Sequence, residues 1–141
     1  MHDVVIRGGS IVDGTGKPAF TNDVAITDGR IAAVGKDLGS AKKTVDADGL
    51  LVTPAWVDAH THYDGQVAWD EQMTPSLWHG VSTVVMGNCG VGFAPTTPDR
   101  HDWLIGLMEG VEDIPGPSLA AGLPWGWQSF PEYLDVLDKM P

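Results

Sequence analysis

An α/β architecture, in which a small β module precedes parallel strands joined by a helical segment, is predicted by three stretches of this 141-residue chain. Val24 to Gly35 consists of two apolar runs around Asp28-Gly29. Thr53 to His62 is an apolar run that closes on His60 and His62. Val81 to Met86 is β-branched through its centre and leads into Gly87-Asn88-Cys89-Gly90.

In chain order, residues 4 to 7 and 10 to 12 are short strand candidates on either side of Gly8-Gly9, and Asp13 to Pro18 reads as a loop. Asp28-Gly29 is a type I′ turn signal, because both central residues of that turn need positive φ. A plain two-residue hairpin sets Ile26 against Ile31 and Val24 against Ala33, with the four side chains on one face. Residues 1 to 52 are therefore expected to form a β module, with a second unit over 53 to 141.

The turn signal Asp46-Ala47-Asp48-Gly49 precedes the next strand. Side chains alternate along a strand, so His60 and His62 project on one side and can offer two ring nitrogens to one ion. The bland alternative is a polar strand end. Thr74 as N-cap, Pro75 at the first helical position and Gly80 after the end predict a short helix. Val81 to Met86 then reads as a buried strand. Strand, helix and strand imply a parallel crossover, which brings both C-terminal strand ends to one sheet edge. His60, His62 and Cys89 are expected to converge there.

Val91 to Pro98 reads as a loop. A helix is expected from about Pro98 to Met108, with Trp103, Leu104, Leu107 and Met108 as its apolar stripe, and Glu109 to Gln128 reads as loop. Ser129-Phe130-Pro131-Glu132 has capping-box spacing and opens a last helix that carries Tyr133, Leu134, Val136 and Leu137 and stops at Met140-Pro141.

Charge narrows the function. Eight basic residues against 19 acidic ones give a net charge of -11, which argues against nucleic acid and against an anionic membrane surface. Met1 to Val5 lacks the basic start and apolar core of a signal peptide, and no run approaches a membrane span, so the expected compartment is the cytoplasm. With 43% apolar residues a packed core is available, and 18 glycines and 10 prolines serve as loop punctuation. One cysteine excludes an intrachain disulfide framework and leaves Cys89 as either a small core residue or a functional thiol.

Several stretches together resemble the metal-dependent amidohydrolases, in particular the D-aminoacylase or N-acyl-D-amino-acid deacylase branch. They are Ile6 to Gly9 with Asp13 to Gly16, Gly29 to Gly35, Val57-Asp58-Ala59-His60-Thr61-His62-Tyr63-Asp64, Trp78 to Val81, Val84 to Gly90 and Ser129 to Leu134. The histidine motif is shared across the superfamily. Gly-Asn-Cys-Gly-x-Gly-Phe-Ala-Pro, from Gly87 to Pro95, is more specific to the deacylase branch. Ala55 stands where many relatives have glycine.

The resemblance implies a distorted (β/α)8 barrel joined to a small β-sandwich built from both chain ends. Such a barrel needs about 250 residues, so the chain is expected to be a fragment holding the N-terminal part of the sandwich and the first barrel strands. It implies His60, His62 and Cys89 as metal ligands, zinc as one or two divalent ions, and hydrolysis of a small-molecule N-acyl-D-amino acid to a carboxylate and a D-amino acid. Two further histidines and the general base, a late-strand aspartate, are expected beyond the C-terminus, so no catalytic residue is assigned within this chain. The alternatives are a dihydroorotase- or hydantoinase-like cyclic amidase and an inactive fragment.

Around the motif, Asp58 is either a hydrogen-bonded strand carboxylate or a group that orients an imidazole. Tyr63, Asp64 and Asn88 lie close enough to line a pocket. Trp125 and Trp127 either wall that pocket or pack against the body of the domain. His2, His79 and His101 read as ordinary surface or capping residues.

Overall fold

The computed structural model describes residues 1–140, so the expected stop at Met140-Pro141 reaches outside the described residues. The chain forms two compact units, Met1–Pro54 and a second beginning at Ala55. This division lies two residues after the one expected from sequence.

The first unit is one sheet of five strands, β1 (His2–Ile11), β2 (Phe20–Thr27), β3 (Arg30–Gly35), β4 (Ala41–Asp46) and β5 (Leu51–Val52). β1 is central. It pairs antiparallel with β2 on one side and parallel with β4 and then β5 on the other. The two short strands expected around Gly8-Gly9 are a single strand, because an irregular register between Ile6 and Gly9 lets pairing continue past them. Gly8 has a φ of 72°, and its N–H donates to Asp23 Oδ1 at 2.9 Å, so a side chain takes a backbone donor that the ladder drops. Gly9 lets β5 approach, since a Cβ there would overlap the Val52 side chain.

Asp28 and Gly29 have φ values of 50° and 70°, as a type I′ turn requires. Ile26 does face Ile31. Beyond it Ala25 pairs with Ala33 and Val24 with Val34, so one extra residue in β3 displaces the expected Val24–Ala33 pair. Ile31 is 69% exposed while Val24 is buried, and the four side chains do not share a buried face. The core of this unit is Val5, Ile11, Val24, Ala25 and Ala47.

In the second unit β6 (Trp56–Thr61) and β7 (Val81–Met86) pair in parallel. The crossover between them holds two 3-10 turns, Gln66–Ala68 and Ser76–His79, and not the expected capped helix. Pro75 precedes the second turn, and the Thr74 hydroxyl donates to Asp70 at 2.7 Å without capping anything. Gly80 ends the turn with a φ of 81°. β7 is less buried than its sequence suggests, with Val85 42% exposed. Among the described residues its sheet has two strands, too few to enclose both faces.

Three helices follow, α1 (His101–Glu112), α2 (Gly116–Gly122) and α3 (Phe130–Leu137). α1 runs four residues past its expected end at Met108 and stops where Asp113 turns left-handed, at a φ of 55°. Its buried stripe is Leu104 and Met108, while Trp103 is 62% exposed and Leu107 points outward. α2 occupies a segment expected to be loop. Its Leu119 is fully buried and joins Phe93, Leu104, Met108, Leu123, Trp127 and Tyr133 in the core of this unit. α3 begins with the expected capping box, in which Glu132 N–H donates to Ser129 Oγ at 3.4 Å and Ser129 N–H to Glu132 Oε2 at 2.8 Å. No helix among the described residues is long and apolar enough to cross a membrane.

Candidate metal centre

His60 lies in the last turn of the pleat of β6, and His62 follows the strand directly. β7 ends at Met86 and passes into Gly87-Asn88-Cys89-Gly90, a tight turn closed by a 3.0 Å bond from Gly90 N–H to the Gly87 carbonyl. Gly87 and Gly90 have φ values of 72° and 89°, which side-chain-bearing residues rarely adopt. Parallel pairing sets this turn beside the histidines. One ligand atom each from His60, His62 and Cys89 lies within 4.8 Å of the others.

Two imidazoles and a thiol form a donor set suited to zinc, whose bonds to nitrogen and sulfur of about 2.0 to 2.3 Å place tetrahedral donors roughly 3.3 to 3.6 Å apart. The observed spread therefore fits one ion after a side-chain adjustment of about 1 Å, or two neighbouring ions. The imidazoles are close, with ring centroids 5.5 Å apart and planes inclined by 32°. The Cys89 thiol donates a weak bond to the Val91 carbonyl at 3.6 Å and is only partly buried, so it is not sealed in the core.

The histidines open on a cavity of about 340 Å³ lined also by Tyr63, Gln66, Ser76 and Glu112. Tyr63 Oη and Ser76 Oγ are hydrogen-bonded at 2.7 Å. Asp58 Oδ1 accepts from the His60 backbone N–H at 3.2 Å, so this carboxylate meets the main chain of the motif. Asn88 Nδ2 donates to the Ala59 carbonyl at 2.8 Å.

Two carboxyl groups stand out by burial. Asp64 is 6% exposed, and its Oδ2 has no hydrogen-bond partner among the described residues. Burial raises its pKa, while backbone N–H groups, including that of Gly87, and the His62 ring act in the opposite sense. Glu112 has both carboxylate oxygens buried without a partner, and burial, followed by the charge of Asp64, pushes its pKa up to about 7. Sequence reasoning passed over Glu112 because it sits in a stretch expected to be loop. The available signal was the polar i, i+3 pair of Glu109 and Glu112, one helical turn beyond the apolar stripe.

The remaining candidates are dispersed. Trp127 packs in the core and its indole N–H donates to the Phe93 carbonyl at 2.7 Å. Trp125 stacks on His101, with ring centroids 3.8 Å apart and planes at 13°, so His101 is half-buried and not a surface residue. His2 Nδ1 bonds Thr27 Oγ1 at 2.8 Å, and His79 is exposed at the end of its 3-10 turn.

Comparison with known proteins places these residues in a wider frame. The family described as the amidohydrolase family matches residues 43–141. D-aminoacylase of Alcaligenes xylosoxydans xylosoxydans is 35% identical over 140 residues, covering 99% of this chain and 27% of the relative. Among solved structures, a D-aminoacylase studied for its binuclear metal center aligns at a TM-score of 0.72 and 33% identity, over 97% of this chain and 27% of the other. N-acyl-D-glutamate deacylase from Bordetella bronchiseptica, solved with zinc and a phosphonate inhibitor, aligns at 0.66 and 32% identity with the same coverage. The chain thus spans about a quarter of the length of these relatives.

Proposed function

This chain belongs to the amidohydrolase family, and on that premise we propose that the whole protein is a metal-dependent N-acyl-D-amino-acid deacylase, converting an N-acyl-D-amino acid and water to a carboxylate and a D-amino acid. The observation that carries this reading is the convergence of His60, His62 and Cys89 within 4.8 Å. In it, Met1–Pro54 contributes the N-terminal half of a β-sandwich, and β6 and β7 are the first strands of a (β/α)8 barrel. The C-terminal ends of parallel barrel strands are where such folds assemble their sites.

His60 and His62 hold the metal through imidazole nitrogens and Cys89 through its thiolate. A divalent ion bound there supplies a nucleophile at neutral pH, by lowering the pKa of water, and polarises the amide carbonyl. The protein's part within this chain is to hold the donors, and the proton-transfer base belongs to the rest of the protein. Asp58 steadies the His60 main chain. The Tyr63–Ser76 pair and Glu112 form the polar wall of the adjoining cavity.

The acidic balance of the chain fits a small-molecule substrate better than a polyanion. Deacylase relatives in both comparisons support the substrate class. The test is release of free D-amino acid from an N-acetyl-D-amino acid by the whole protein with added zinc. No release under these conditions, with other divalent ions also inactive, would overturn the reading.

A further inference from the structure

We propose that Asn88 and Thr61 are positioning residues of the metal centre, forming a two-point side-chain clip that sets the distance between the cysteine turn and the histidine strand. The inference rests on the metal-site reading above and deepens it.

The ladder between β6 and β7 is regular at Asp58–Val84 and again at Thr61–Met86. Three steps along β6 thus correspond to two along β7, so β6 carries one extra residue at Ala59–His60. This is a β-bulge immediately at the first ligand. A bulge takes backbone groups out of the ladder and lets the strand bend, and its geometry persists only where other partners take those groups.

Side chains supply the partners here. Asp58 Oδ1 accepts the His60 N–H at 3.2 Å, and Asn88 Nδ2 donates to the Ala59 carbonyl at 2.8 Å. On the other side of the bulge, the Thr61 hydroxyl donates to the Val85 carbonyl at 3.0 Å, from a residue only 7% exposed. The two cross-strand bonds run in opposite senses. Asn88 reaches from the cysteine turn to the histidine strand, and Thr61 reaches from the histidine strand to β7.

Each bond is made by a residue next to a ligand in sequence. Asn88 precedes Cys89, and Ala59 and Thr61 flank His60. Asn88 and Cys89 are the two central residues of the Gly87–Gly90 turn, so fixing the Asn88 amide fixes the rotation of that turn and the direction of the Cys89 sulfur. Thr61 lies between the two histidines and ties their backbone to the neighbouring strand. The donor cluster is His60, His62 and Cys89, and the Asn88 amide nitrogen and Thr61 hydroxyl hydrogen are instead given to backbone carbonyls.

The test uses the whole protein, stripped of metal and titrated with cadmium. Absorption from thiolate-to-cadmium charge transfer reports the Cys89 bond, and the titration reports affinity, both independently of turnover. In Asn88→Ala and in Thr61→Val, an isosteric change that removes only the hydroxyl donor, affinity is expected to fall by about 10- to 100-fold, the usual consequence of losing a partner that orients a ligand. The charge-transfer band should weaken or shift most in Asn88→Ala, while Thr61→Val, which takes the hydroxyl donor from the Val85 carbonyl, should lower the melting temperature in the metal-free state modestly without unfolding the protein. A wild type with no thiolate band would overturn the metal-site reading itself. A normal wild-type band with unchanged affinity and band in Thr61→Val and in Asn88→Ala would leave that reading standing and overturn the clip. If Asn88→Ala does not fold, Thr61→Val decides alone.

Discussion

The Tyr133 hydroxyl donates to the backbone carbonyl of Asp64 at 2.9 Å, tying α3 to the segment that follows the histidine pair across 69 positions of sequence. The bond is buried, and Tyr133 also packs edge-on against Trp127 with ring centroids 5.0 Å apart. Burial raises the phenol pKa, so the group stays a neutral donor throughout the usual pH range. Tyr133→Phe keeps the packing and leaves the Asp64 carbonyl without its donor, at a cost of about 1 to 3 kcal/mol. Denaturant unfolding of the whole protein should show this loss, with metal content unchanged.

Two glycines should respond in opposite directions to alanine. A Cβ at Gly122, the last residue of α2, would overlap the Trp69 ring, and overpacking of this kind costs roughly 1 to 3 kcal/mol. Gly106 lies inside α1 with open space where its Cβ would stand. Gly106→Ala should stabilise by about 0.5 to 1 kcal/mol through lower backbone entropy in the unfolded chain. Thermal unfolding of the two variants distinguishes these outcomes by sign.

Asp70 predicts an acid-sensitive contribution. Its Oδ2 accepts from Thr74 Oγ1 at 2.7 Å, Thr74 N–H at 2.8 Å and Gln66 Nε2 at 2.8 Å, and its Oδ1 from Gln72 N–H at 3.1 Å. The hydroxyl of Thr74 and the amide of Gln66 are the main causes that lower its pKa from 3.8 to about 2. A carboxyl group whose folded pKa is depressed stabilises the fold above its unfolded value and loses that contribution as pH falls through the folded one. The stability difference between wild type and Asp70→Ala should therefore be constant above about pH 5 and shrink between pH 4 and 2.

Glu112 has the opposite sign. Its folded pKa of about 7 lies above the ordinary 4.5, so the neutral form is favoured in the fold. Its contribution is fully present below pH 4.5 and is lost as pH rises through 7. Glu112→Gln, which stays neutral, should make the metal-free protein more stable than wild type at pH 8 and nearly equal to it at pH 4. A variant less stable than wild type at pH 8 would show that the carboxylate has a partner when ionised.

Much of the fold was legible because its signals are local. The Asp28-Gly29 turn and the Ser129–Glu132 capping box follow from residues within a few positions of one another. The convergence of His60, His62 and Cys89 needed one further inference, parallel pairing of two apolar runs. The bulges were not legible. The extra residues in β3, at the Ala25–Ile26 step, and in β6, opposite Val85, depend on long-range pairing, and alternation of apolar residues does not encode them. The same applies to α2, whose Gly116-Pro117-Ser118 start has weak helix propensity and is held by burial of Leu119. His101 shows the limit for single residues, since only its stack on Trp125 reveals that it is part of the packing.

The central claim is that His60, His62 and Cys89 hold the metal on which hydrolysis depends. It is tested most directly by metal content and D-amino-acid release measured together in the whole protein and its Cys89→Ala, His60→Ala and His79→Ala variants, after dialysis and readdition of zinc. His79 is the suitable control because it is exposed and stands outside the donor cluster. Loss of bound metal and of activity in the first two variants, by more than the roughly 10- to 100-fold that loss of an outer partner causes, is the predicted result, with His79→Ala unchanged. Full metal content and full turnover in Cys89→Ala and His60→Ala would contradict it.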